Sequence, residues 1–310
     1  MQHLISLKEW SPGKIRQVLD LARDVKANPA TYHDAMSHKT LLMIFEKPSL
    51  RTRLSFEAGM SQMGGHAIYY HTGNSPMGSG KESISDSVKT ASRFVDVIMA
   101  RLFKHADLLE MAEYATVPVI NALTDYSHPC QILADLQAIE EKKSELAGLK
   151  LAYLGDGFNN VTHSLMFGGT KMGMHIRVGS PAGEEFSPRS DVVAECQTFA
   201  AASGGSVVVT DDPVEAITDA DVVYTDSWMS YHIPKEQEEQ RIAKFMPYQV
   251  NSALMAHAKP DAVFMNCLPA IRGCEQTAEV IDGPQSIVFD EAENRLHAQK
   301  AVILTLCGHG

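Results

Sequence analysis

The heptapeptide KPSLRTR, residues 47–53, gathers three cations and two hydroxyls in a chain whose formal net charge is −11. Ser49 and Thr52 can each donate an O–H bond, and Arg51 can grip two oxygens of one phosphate. The stretch follows the apolar run KTLLMIFE and precedes LSFEAGMSQMGG, which reads as a helix ending at Gly64-Gly65. A strand that turns into a helix there would add the exposed N–H groups of the helix start to an anion site. A capped helix bearing solvated charges explains the same residues equally well. The pattern GxxxxGK[ST] is absent, so the stretch is not a Walker loop.

Five other stretches carry polar residues where chemistry is possible. In SHPCQILAD, His128 and Gln131 flank a helix start and lie one turn apart, so both can address one ligand, although a lone histidine more often only holds structure. YLGDGFNN imitates a dinucleotide fingerprint but has no third glycine, and no acidic residue ends the next strand, MHIRVGSP. Asn159 and Asn160 can instead bond a polar substrate or simply cap a helix. YTDSWMSYH sets Asp226 at a strand end, with Ser230 and Tyr231 in the loop that follows, where a carboxylate can hold an ammonium or cap a turn. FMNCLPAIRG puts Cys267 before a proline-stiffened turn; a nucleophile and a buried structural cysteine are both open. Glu293 and Arg295, in DEAENR, form either an ordinary helix pair or an arm that reaches the site.

These residues need a frame that brings them together. Apolar runs recur as strand candidates: KTLLMIFE, HAIYYH, VDVIMAR, VPVINAL, LKLAYLG, MHIRVGS, SVVVTDD, DVVYTDS and AVFMNCLP, with helical patterns between most of them. Alternating strands and helices imply an α/β fold with parallel sheets, whose ligand sites lie beyond the carboxyl ends of the strands. The polar residues above fall at those ends, as does Arg101 after VDVIMA. The expected architecture is two domains, each a parallel β-sheet flanked by helices. The helical run QILADLQAIEEKKSELAG separates two strand groups, so the boundary is expected near residues 146–149, dividing 1–146 from 147–291. The final helical stretch, within 292–310, is expected to return to the first domain.

Composition narrows the classes of function. With 27 Lys+Arg against 38 Asp+Glu, the chain lacks the basic balance that nucleic acid or an anionic membrane would select. Its five cysteines are odd in number and contain no CxxC pair, which suggests neither a disulfide framework nor a zinc site and fits a reducing cytosol. MQHLISLKEW has no signal-peptide core and no run approaches a membrane span, so a cytoplasmic protein is expected.

Taken in order, FEKPSLRTRLSFE, HPCQILAD, GDGFNN, DSWMS, CLP and EAENR resemble the aspartate/ornithine carbamoyltransferase family, on its ornithine branch, over nearly the whole chain. The resemblance implies that Ser49, Leu50, Arg51 and Thr52 hold the phosphate of carbamoyl phosphate. It implies that Arg101, His128 and Gln131 surround the carbamoyl group, and that Cys267, Leu268 and Arg295 meet both substrates. Asn160, Asp226, Ser230 and Tyr231 would bind the amino acid. The chain departs from the family pattern at Leu50, where threonine is usual. Other departures are Tyr231-His232 after Ser230, Asn266 before Cys267, and Pro76-Met77 in the 73–82 loop that the family lends to a neighbouring subunit.

The implied reaction is carbamoyl transfer from carbamoyl phosphate to the side-chain amine of L-ornithine, giving L-citrulline and phosphate. A carbamoyltransferase for another amine, such as putrescine, is the alternative. Arg101, His128 and Cys267 are the implied catalytic residues. Cys267 or the departing phosphate would take the amine proton, and both remain open. The resemblance implies no metal or organic cofactor, no nucleic-acid or membrane partner, and a homotrimer or a multiple of one.

Overall fold

The computed structural model describes residues 2–229 and 233–309. The chain divides into two compact units, residues 1–137 with 293–310, and residues 138–292. The first division falls inside the helix Pro129–Lys143 and the second inside the helix Val288–Leu306.

Each expected strand forms. In the first unit, β1 (Thr40–Phe45), β2 (His66–His71), β3 (Val97–Arg101) and β4 (Val119–Leu123) build an all-parallel sheet in the order β2-β1-β3-β4. Every residue of β3 and β4 is buried, which is why both read as apolar runs broken only by Arg101 and Asn121 rather than as alternating ones. Ile44, Ile98 and Ala100 pack with Val88, Leu108 and Met111 into one core. Burying an aliphatic side chain of this size is worth about 1.5–3 kcal/mol, so the sheet and its helices form together.

The second unit repeats the plan with β5 (Lys150–Leu154), β6 (His175–Gly179), β7 (Ser206–Thr210), β8 (Val222–Tyr224) and β9 (Val263–Met265), all parallel, in the order β7-β6-β5-β8-β9. Leu154, Val223 and Phe264 lie in its core with Ala216, Ile217 and Val250.

The strand orders fix where ligands can bind. In the first sheet the winding reverses between β1 and β3, and in the second between β5 and β8. At such a switch point the loops leave in opposite directions and open a crevice at the strands' carboxyl ends. Residues 47–53 follow β1 and Arg101 ends β3; Asp156–Asn160 follow β5 and Asp226 follows β8. The motifs read from sequence therefore sit at the switch points of their own sheets.

One boundary differs from expectation. The helix after β1 starts at Leu50 and runs to Gln62, so Arg51, Thr52 and Arg53 are in its first turn rather than in a loop before it. Ser49 is the reason: it is extended, and its Oγ accepts the Thr52 N–H at 3.3 Å, which closes the helix start earlier. Gly64, at φ +79°, ends the segment where a Cβ would come within 2.9 Å of the His33 carbonyl oxygen.

Candidate active site

In the first unit, Ser49 proves to be both cap and ligand candidate. Its Oγ also donates to Thr52 Oγ1 at 3.1 Å. The Leu50 side chain points to solvent at 69% exposure, so any ligand contact at this position falls to its backbone N–H. That N–H belongs to the first turn, where the helix supplies no partner of its own. A leucine is therefore compatible with a position where threonine is usual.

Thr52 is fully buried and joins the end of the chain to its beginning. Arg295 Nη2 donates to Thr52 Oγ1 at 3.3 Å, and Arg295 Nη1 donates to Gln131 Oε1 at 2.5 Å. Gln131 passes the restraint on, its Nε2 donating to Asp135 Oδ1 at 2.8 Å. The Gln299 amide, turned to suit its neighbours, accepts from Arg295 Nε at 3.1 Å and Nη2 at 2.8 Å. Arg295 is thus a rigid, buried fork between the helix start at Leu50 and the helix start at Pro129.

His128 is buried and feels the charge of four cations. Burial pushes its imidazole well below the ordinary histidine range, and Arg295, Arg101, Lys47 and Arg51 push in the same direction. At neutral pH the ring is neutral, able to donate from one nitrogen without adding charge. Lys47 is also buried, with its ammonium 4.8 Å from the Phe103 ring centre. Burial first, and Arg101 second, bring its pKa down to about 8. Arg53 is different: its Nε donates to Glu57 at 2.9 Å and its guanidinium lies 4.1 Å from the Tyr69 ring, on the surface. So the cations of KPSLRTR part company, Lys47 buried, Arg51 half-buried and Arg53 on the surface.

In the second unit, Cys267 Sγ donates to Asp226 Oδ1 at 3.1 Å, joining the ends of β9 and β8. Leu268 has φ +55°, a backbone state that non-glycine residues seldom occupy, and its N–H donates to Asn266 Oδ1 at 2.8 Å. The Leu268 group offered to a ligand is then its carbonyl. Asn266 is buried and braced: its N–H donates to Glu291 at 3.1 Å and its Nδ2 to Gln276 at 3.0 Å. Tyr224 donates to the other Glu291 oxygen at 3.1 Å. This network, which sequence reasoning missed, holds the Cys267-Leu268 turn from behind.

The paired asparagines separate by role. Asn159 is a buried cap, its Oδ1 accepting the Thr162 N–H at 2.8 Å and its Nδ2 donating to Tyr153 at 2.9 Å. Asn160 begins the helix and is half-buried, which leaves it the better placed of the two to meet a ligand. Ser230, Tyr231 and His232 lie outside the described residues.

The lysine, arginine and histidine set suits a phosphate-bearing, carbonyl-containing ligand, and the Asp226–Cys267 pair suits an amine. Comparisons with known proteins agree. Residues 2–141 match the family model for the aspartate/ornithine carbamoyltransferase carbamoyl-P binding domain, and residues 147–306 match that for the Asp/Orn binding domain. An ornithine carbamoyltransferase of Thermococcus kodakarensis is 54% identical over 307 residues, covering 98% of this chain and 96% of that protein. An anabolic ornithine carbamoyltransferase of Pyrococcus furiosus is 49% identical, covering 98% of this chain and 96% of the relative. The solved ornithine carbamoyltransferase from Pyrococcus furiosus superposes with a TM-score of 0.94 at 48% identity, covering 99% of this chain and 97% of the other.

Proposed function

The chain belongs to the aspartate/ornithine carbamoyltransferase family, and we propose that it transfers the carbamoyl group of carbamoyl phosphate to the side-chain amine of L-ornithine. The observation that carries this reading is the buried polar set of Lys47, Thr52, Arg101, His128, Gln131 and Arg295, in which Arg295 is hydrogen-bonded to both Thr52 and Gln131. The relatives reported above are named for ornithine, which favours that amine over putrescine.

The carbamoyl-phosphate half is assigned to residues 1–146 and the amine half to 147–291. Ser49, the Leu50 N–H, Arg51 and Thr52 take the phosphate. Arg101, His128 and Thr52 face the carbonyl oxygen, and Gln131 and the Leu268 carbonyl accept from the carbamoyl NH2. Arg295 acts by fixing Gln131 and Thr52. Cys267 and Asp226 orient the amine, and Asn160, Ser230 and Tyr231 hold the amino-acid end.

The amine nitrogen lone pair attacks the carbonyl carbon, the oxygen gains negative charge, and the C–O bond to phosphate then breaks with its electron pair leaving on phosphate. Preorganised donors aimed at that oxygen are worth about 10²–10³ in turnover each. The proton lost by nitrogen goes to the departing phosphate. Cys267 is the weaker candidate acceptor, because its thiol already donates to Asp226. The electron count closes without a redox partner.

The protein is further proposed to be a cytoplasmic homotrimer or a multiple of one. Leu50, Leu54 and Phe94 on the first unit expose 69%, 56% and 78% of their surface, apolar groups that a subunit contact would cover. All five cysteines are free, as a reducing compartment would keep them. No helix among the described residues is long and apolar enough to cross a membrane. Role in biosynthesis is supported by the anabolic relative from Pyrococcus furiosus.

A panel of amines with carbamoyl phosphate, read by phosphate release, tests the activity. Ornithine should give the highest kcat/KM; putrescine outpacing it would transfer the assignment to the alternative amine.

A further inference from the structure

Arg241, on the helix Glu238–Phe245, lies outside every motif that drew attention in the sequence. Its Nη2 donates to Asp156 Oδ2 at 2.5 Å and its Nε donates to the Trp228 carbonyl oxygen at 2.9 Å. Both side chains are withdrawn from water, at 11% exposure for Arg241 and 3% for Asp156. The other Asp156 oxygen accepts the Phe158 N–H at 3.1 Å, fixing the carboxylate within its own turn. The guanidinium lies 4.9 Å from the Phe245 ring centre, and Trp228 stacks on the same ring at 5.8 Å.

A buried ion pair is a poor choice if stability alone is at stake, because desolvation consumes much of the attraction. What a guanidinium adds is direction: a planar fork meeting two acceptors on two separate segments. Those segments are the ones that carry the amine half. Asp156 precedes Asn160 by four residues, and Trp228 follows Asp226 by two. Gly155 fits the same joint closely, since a Cβ there would come within 3.0 Å of Trp228 Nε1.

We propose that Asp156 and Arg241 are positioning residues that fix Asp226 and Asn160 relative to one another for the amine substrate. The inference rests on the reading of the amine half given above. Neither residue touches reacting atoms; both act through the turns they clasp.

A pH signature accompanies the geometry. Burial brings the Asp156 carboxyl up to about 7, with Asp226 adding to the rise while Arg241 and the Phe158 N–H oppose it. The other titratable groups facing it are Tyr153, which is buried and feels the Asp156 charge, and Glu184 and Glu185, which line the same cavity of ≈ 450 Å³. The carboxylate form, which completes the clasp, is present above about pH 7 and lost as pH falls through it. Ornithine binding should weaken on that acid side.

The test is steady-state citrulline formation by R241Q, R241K and D156N, varying each substrate from about pH 6 to about pH 8.5, with thermal unfolding alongside. R241Q and D156N should raise KM for ornithine about tenfold or more and leave KM for carbamoyl phosphate within about twofold. R241K should recover part of the loss, because an ammonium can make one of the two bonds. D156N should also lose the acid-side rise in ornithine KM. Ornithine KM within about twofold of wild type in both R241Q and D156N overturns the proposal, as do equal rises for both substrates. Should R241Q not fold, D156N, which keeps side-chain size, decides alone. Wild-type protein that makes no citrulline would overturn the function itself, a result distinct from unchanged variants.

Discussion

Arg295 and Thr52 are 243 residues apart in the chain and 3.3 Å apart in space, joined by a hydrogen bond from Nη2 to Oγ1. Because Thr52 also receives the Ser49 hydroxyl, this contact sets the helix start on which the phosphate would rest. Thr52→Val keeps the side-chain shape and removes the hydroxyl. It should lower kcat by about 10²–10³ if Thr52 faces the developing oxyanion. Steady-state kinetics with a thermal-unfolding control check this, and a kcat within about threefold of wild type would confine Thr52 to structure.

Arg51→Ala should nearly abolish turnover and weaken carbamoyl phosphate binding while leaving the unfolding transition in place. Arg51 is half-buried and lies in the first turn of its helix. Calorimetric titration with carbamoyl phosphate reads the affinity directly; an active variant with unchanged affinity would remove its assigned role.

Lys47 should give carbamoyl phosphate binding a pH dependence. Its pKa is lowered to about 8, so the free protein carries this charge below that pH and sheds it above. A dianion favours the charged form, so affinity should fall as pH rises through about 8, by up to tenfold per pH unit for one coupled proton. Lys47→Met should bind more weakly at neutral pH and lose this fall. A wild-type affinity that stays flat through the same range would detach Lys47 from the ligand.

The fates of these cations mark how far the sequence could be read. The strands were legible because buried parallel strands are mostly apolar, as TLLMIF, VIMAR and VINAL are. His128, Gln131 and Arg295 were legible as motif residues, yet nothing in the sequence says that Arg295 reaches Gln131 across 164 positions. Lys47 and Arg53 are equivalent on paper, because burial and the Glu57 partner that separate them come only with the fold. Asp156 lies in GDGFNN, three residues before Asn159, and nothing in that stretch marks it as one half of an ion pair. Its partner Arg241 lies 85 positions on and outside any motif, and long-range pairs of this kind leave no local periodicity to detect.

Asp226→Ala should damage use of the amine far more than binding of carbamoyl phosphate, since Asp226 holds the Cys267 thiol at 3.1 Å. Separate KM values for the two substrates read the difference. Equal losses in both would mark Asp226 as a structural residue.

The most direct test of the account is a competition: carbamoyl phosphate labelled with carbon-13 at the carbonyl, offered with equal ornithine and putrescine, and followed by carbon NMR. Carbamoyl transfer to ornithine should give one new ureido resonance, that of citrulline, growing in step with released phosphate and absent with Arg51→Ala. A carbamoylputrescine resonance in its place, or phosphate released with no ureido product, would contradict it.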